Sequence, residues 1–133
     1  MDDRIDTAAR VEIAELFARY CHFVDHGEGE EWVSLFAPTG SFEIAGIMRL
    51  EGADQLRSMP GIVMEQGGGK WRHQITNLAI DAGAEPGTAA VRAYGLVTDW
   101  REGGKPVSFA DYEILVRRLG GAWRIQTLVA RMV

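Results

Sequence analysis

Two residues far apart in the chain carry side chains suited to moving a proton, Asp25 and His73. Asp25 closes a stretch whose apolar stripe, Ile13, Leu16, Phe17, Tyr20, Cys21 and Val24, recurs at helical spacing. A helix C-terminus carries partial negative charge, so a carboxylate there is opposed by the dipole and needs another reason for its place. Helical rotation sets Asp25 about 40° past Cys21, at the edge of the stripe, where an acid reaches a pocket mouth while its backbone stays anchored. His73 opens a strand-like run over residues 73–80. Imidazole takes up a proton near neutral pH, and a carboxylate that holds one ring nitrogen leaves the other as a general base. Singly, each residue is more often a solvated helix end or a satisfied structural histidine. Brought together in a sheltered pocket, they make a base.

No other familiar chemistry is written in the chain. There is no Gly-rich dinucleotide fingerprint, no Gly-x-Ser-x-Gly elbow and no zinc-like Cys/His spacing. The glycine-rich stretch 66–70 lacks the Ser/Thr and the spacing of a phosphate-binding loop and reads as a flexible connection. No cofactor and no metal is expected. The 133 residues suffice for one domain with a substantial core and leave no room for a second. With 14 basic against 19 acidic residues the formal charge is −5, which argues against nucleic acid and anionic membrane as partners. No apolar run approaches the roughly 20 residues that span a bilayer. The N-terminus is acidic and has no apolar signal-like core, and the single cysteine, Cys21, cannot form an internal disulfide. A cytoplasmic location is expected.

The positioning elements follow from periodicity and breakers. A long helix is expected over 5–25, with Asp2, Asp3 and Asp6 complementing its N-terminal dipole and Gly27 ending it. A second helix is expected over 30–36, stopped by Pro38 and Gly40, and a pair of short strands within 41–50 turning near Gly46. A third, brief helix over 52–59 is expected to end at Pro60 and Gly61. Four long antiparallel strands follow over 71–81, 88–101, 107–119 and 123–133, rich in Val, Ile, Thr and aromatics and joined by Gly-containing hairpin turns. Helices first and strands later imply an α+β fold, a bent sheet wrapping the long helix and leaving a pocket at its wide end. Strand alternation puts Trp71, His73, Ile75 and Asn77 on one face, a mixture suited to a ligand pocket. Tyr20 lies on the helix stripe, where its hydroxyl needs a partner. Tyr94 and Tyr112 sit mid-strand, and Phe42, Met48, Met64 and Trp100 are apolar enough to line a cavity. His22 and His26 are expected on the surface.

The order of elements, with the segments 20–25 (TyrCysHisPheValAsp), 32–43 (TrpValSerLeuPheAlaProThrGlySerPheGlu) and 73–77 (HisGlnIleThrAsn), resembles the SnoaL-like branch of the nuclear transport factor 2-like superfamily. The resemblance spans nearly the whole chain and implies a cone-shaped, strongly curved mixed β-sheet around a long N-terminal helix with two shorter helices, a cystatin-like α+β barrel. Within that branch it is nearest scytalone dehydratase and hexachlorocyclohexane dehydrochlorinase, which implies β-elimination with Asp25 and His73 as a dyad. Val24-Asp25 matches the end of the dehydrochlorinase's first helix, and His73, Thr76 and Asn77 match its His-x-x-ThrAsn segment. Tyr20, Val24, Phe42, Asn77, Tyr94 and Arg131 are expected at the substrate, a small apolar or aromatic molecule. The arginine that the dehydrochlorinase carries on its last strand has Leu128 at its place here, with Arg131 as the remaining candidate. The superfamily also implies a homodimer or homotrimer. Two alternatives stay open: a non-catalytic subunit like the small subunit of ring-hydroxylating dioxygenases, and an enzyme like ketosteroid isomerase or the polyketide cyclases, with aspartate as the base.

Overall fold

The computed structural model describes residues 5–133; Asp2 and Asp3 lie outside the described residues. Helix α1 (Thr7–Asp25) starts at Asp6, whose side chain accepts the Ala9 N–H at 2.8 Å. Of the stripe read from the sequence, Ile13, Leu16, Phe17, Tyr20 and Val24 are buried and Cys21 is half-buried. The helix ends as Glu28 N–H donates back to the Phe23 carbonyl at 3.0 Å across Gly27, which has φ +71°. A Cβ on Gly27 would lie 2.9 Å from Cγ of Met64, so both backbone and packing require glycine here.

Three short helices follow rather than two. Helix α2 (Gly29–Val33) stops before Phe36, which begins strand β1 (Phe36–Ile44). Pro38 and Gly40 therefore sit inside a strand, at the irregularity where its pairing with the last strand shifts register between Phe36 and Ser41. Strand β2 (Met48–Glu51) turns back on β1. The expected helix over 52–59 is two helices, α3 (Ala53–Leu56) and α4 (Met59–Gly67). Pro60 opens α4 instead of ending a helix, because the first-turn N–H that proline lacks has no intrahelical partner. Much of the expected loop 66–70 is the end of this helix and its left-handed cap at Gly68.

The long strands are β3 (Trp71–Ala82), β4 (Thr88–Asp99), β5 (Lys105–Leu119) and β6 (Ala122–Met132), with a 3-10 turn over Trp100–Glu102. Together with β1 and β2 they form one six-stranded sheet in the order β2-β1-β6-β5-β4-β3. Among the described residues, only the β1–β6 pair is parallel. The sheet is curved and unclosed, and α1 lies against its concave face along β3. Trp32, fully buried, packs with its ring 5.4 Å from Tyr20 and 4.7 Å from Phe36, joining α1, α2 and β1 in one core. Among the described residues, no helix is long and apolar enough to cross a membrane.

β3 is an edge strand, and an edge strand presents N–H and C=O groups without a ladder partner. Helix α1 covers that edge and is tied to it at both ends. Arg10 donates from Nη1 to the Ile80 carbonyl at 3.0 Å, and the His73 N–H donates to Asp25 at the other end. The helical rise from Arg10 to Asp25 is about 22 Å, and the strand from His73 to Ile80 spans about 23 Å. The two elements match in length.

Candidate active site

Asp25, the last residue of α1, is 4% exposed. Its Oδ2 accepts the His73 backbone N–H at 2.9 Å, with Oδ1 at 3.1 Å from the same nitrogen. Its Oδ1 is also 2.6 Å from Nδ1 of the same histidine. The N–H groups of His73 therefore answer the question posed by an acid at a helix C-terminus, since they satisfy a carboxylate that the dipole opposes. An ionised carboxylate only accepts, so Nδ1 is the donor. The tautomer follows from this network: Nδ1 carries the proton and the Nε2 lone pair is free. The His73 side chain is 12% exposed.

His73 forms part of the wall of a cavity of about 260 Å³. The wall is mostly apolar, with Val24 from α1, Phe42 and Ile44 from β1, Met59 and Val63 from α4, and Val97 from β4. Trp71 stands beside His73, and Tyr20 and Tyr112 contribute phenols. Ile47, Val107 and Met132 line the cavity and are also exposed, making an apolar rim at its mouth. Burial pushes the Tyr20 phenol well up, helped by nearby Tyr112. Tyr112 is raised by burial and then by Cys21. Burial pushes the Cys21 thiol up to about 12, against a pull downward from the Ile75 backbone N–H.

Of the residues expected at a substrate, Tyr20, Val24 and Phe42 line this cavity with His73, as does Met48. Asn77, Tyr94 and Arg131 do not. The alternation Trp71, His73, Ile75 holds until Asn77, where φ is +58° and the β3–β4 register shifts between Thr76 and Ala79. This bulge turns Asn77 to the outer face of the sheet and restores Leu78 and Ile80 to the inner one. Tyr94, 45% exposed, shares that outer face and packs against Phe109 with ring centroids 5.7 Å apart. Arg131 is also on the outer face, paired with Glu113 at 3.2 Å. Leu128 is fully buried on the inner face, so a residue three positions along a regular strand must point the other way. Met64 and Trp100 stand outside the cavity and His22 and His26 are exposed. Tyr112, read from the sequence as a mid-strand tyrosine, lines the cavity between Ala110 and Ile114, both buried, while Gln66 and Ser108 are polar wall residues that the sequence did not place there. Among the described residues, no cluster of three or more His, Cys, Asp or Glu is placed to hold a metal ion.

The fold has clear counterparts among known proteins. A Nostoc punctiforme protein of unknown function with a cystatin-like fold is 22% identical, with a TM-score of 0.83 over 97% of this chain and 94% of that one. A Mycobacterium tuberculosis protein of unknown function is 26% identical, with a TM-score of 0.81 over 95% of this chain and 72% of that one. A Novosphingobium aromaticivorans protein, named provisionally as a scytalone dehydratase, is 18% identical, with a TM-score of 0.77 over 95% and 85% of the two chains. No curated protein matches. The SnoaL-like domain family matches residues 6–129, nearly the entire chain including both members of the Asp25–His73 pair. The chain belongs to the SnoaL-like domain family, within the nuclear transport factor 2-like superfamily.

Proposed function

We propose that this protein is a cofactor-independent lyase or isomerase that removes a proton from a small apolar molecule, aromatic or polyketide-like, held in the cavity. One observation carries the reading: the 2.6 Å contact between Asp25 and Nδ1 of His73, with the rest of the ring set in an apolar wall. The free Nε2 takes a proton from a substrate carbon. The electrons of that C–H bond form a C=C bond, and the bond to a leaving group on the adjacent carbon breaks with its electron pair. When the leaving group is hydroxide, the imidazolium returns its proton, water departs and the neutral dyad is restored. Asp25 steadies the imidazolium through Nδ1–H, and the apolar wall keeps bulk water away from the charge. Positioned base catalysis of this kind contributes on the order of 10²–10⁴-fold. The dehydratases and polyketide cyclases included in this fold family are consistent with it. Histidine is favoured over aspartate as the base because Asp25 is buried behind His73, which forms the cavity wall at that point. The enzyme is further proposed to work as a homodimer or homotrimer in the cytoplasm.

Turnover across a panel of small alicyclic and aromatic alcohols and halides tests the proposal, read as a new C=C absorbance with loss of water or acid by mass. Wild type is expected to convert a subset, with His73→Ala inactive and Asp25→Asn reduced by about 10²-fold or more. Activity that survives in His73→Ala but disappears in Asp25→Asn would move the base to the carboxylate. Full activity in both variants would sink the dyad.

A further inference from the structure

The chain holds three histidines, of which His73 lines the cavity. His22 and His26 are both exposed, one in the last turn of α1 and the other at its C-cap. Side chains four positions apart on a helix stand in one row, with Cβ atoms about 5–6 Å from each other. The two rings are stacked, with centroids 6.3 Å apart and planes 8° from parallel. Imidazoles so placed converge on a common ion by rotation of exposed side chains, since each metal–nitrogen bond is about 2.0–2.1 Å long.

His26 is also oriented as a ligand. Its Nδ1 lies 2.7 Å from the His22 carbonyl oxygen, which only accepts, so Nδ1 is the donor and carries the proton. In the neutral ring Nε2 then has its lone pair available. One ring nitrogen donating to a carbonyl while the other faces outward is the arrangement of metal-binding histidines. The surroundings favour a cation as well. The carbonyl end of α1 is the negative end of its dipole, and the chain carries a formal charge of −5. Arg19, one turn earlier on the same face, is paired with Glu15 at 3.4 Å.

We propose that His22 and His26 form a two-histidine site for a divalent transition ion of the zinc and nickel class. Nε2 of His26 and a ring nitrogen of His22 bind the ion, and water completes its shell. Catalytic and structural zinc sites use three or four protein ligands, and among the described residues no cluster of three or more His, Cys, Asp or Glu is placed to hold a metal ion. An ion at this pair is therefore exchangeable. Magnesium, which takes oxygen ligands, is refused. The consequence falls on the helix. An ion bridging positions 22 and 26 fastens the turn that carries Asp25, which is buried while its two neighbours in the site face solvent. The site stands whether or not His73 is a base.

Calorimetry on the untagged chain, with zinc and magnesium as probes, tests the site. Wild type is expected to take up a single zinc ion per chain and to give no binding heat with magnesium. His22→Gln and His26→Gln should each weaken zinc by about tenfold or more, whereas His73→Ala should leave it unchanged. In wild type, zinc should move the imidazole NMR signals of His22 and His26 and slow amide hydrogen exchange over residues 22–28. Neither Gln variant should show the slowing. No zinc binding, undiminished affinity in both Gln variants, or a loss confined to His73→Ala would overturn the site.

Discussion

The Asp25 carboxylate serves two partners at once, a backbone N–H on an edge strand and an imidazole nitrogen. That pairing explains why an acid is tolerated at a helix C-terminus, and it separates fold from chemistry in a usable way. Asparagine at position 25 still offers its carbonyl oxygen to the backbone N–H, but the other carboxylate oxygen becomes an amide that only donates, and facing Nδ1 it favours the proton on Nε2. Cys21, one turn earlier on α1, gives a second prediction at this scale. Its thiol, pushed up from 9 to about 12 by burial, binds its proton more tightly folded than unfolded. Its contribution to stability is therefore complete below 9 and is lost as pH rises toward 12. Urea melts of wild type and Cys21→Ala across that window should show the wild type losing stability more steeply. Parallel slopes would mean that the thiol titrates in the fold as it does in the unfolded chain. Asp25 and His73 were both legible as candidates from the sequence, since each is out of place for its element. Their meeting was implied by the family resemblance and not by spacing or periodicity, because it depends on α1 and β3 lying side by side at matched length across 48 positions of chain.

At the scale of elements, the bulge in β3 decides which residues face the cavity. Asn77 holds φ at +58°, a backbone conformation that asparagine enters more readily than most residues and that a β-branched side chain resists. Asn77→Val is predicted to cost about 1–2 kcal/mol in denaturant unfolding, whereas Asn77→Gly should be close to neutral. Equal stability of the two variants would show that the bulge imposes no strain. The same residue marks where reading by alternation fails. Period-two patterning placed Trp71, His73 and Ile75 together, but a single inserted residue reverses every face beyond it. An asparagine in mid-strand was the one available sign. The helices show the complementary lesson. The α1 stripe was readable because five buried residues repeat at one period, while Pro60 was ambiguous because proline both ends helices and begins them. Arg131 fell to simple geometry: an odd spacing from Leu128 on one strand sends it to the other face.

For the whole molecule, the sheet divides two kinds of surface. Its concave side and α1 enclose the cavity, and its convex side carries Tyr94 and Phe109, in tilted ring contact and 45% and 42% exposed, among charged neighbours. If the proposed oligomer forms through that face, Phe109→Glu should convert it to monomer by light scattering without altering ligand binding in the cavity. A monomeric wild type would refute the assembly and leave the cavity chemistry untouched. That chemistry turns on one proton, whose position on His73 can be observed without knowing the substrate. Nitrogen-resolved NMR of the imidazole at neutral pH is predicted to find the proton on Nδ1 and none on Nε2 in wild type, with the opposite tautomer in Asp25→Asn. A wild-type proton on Nε2, or a tautomer indifferent to the Asp25 substitution, would contradict the assignment of His73 as a carboxylate-held base.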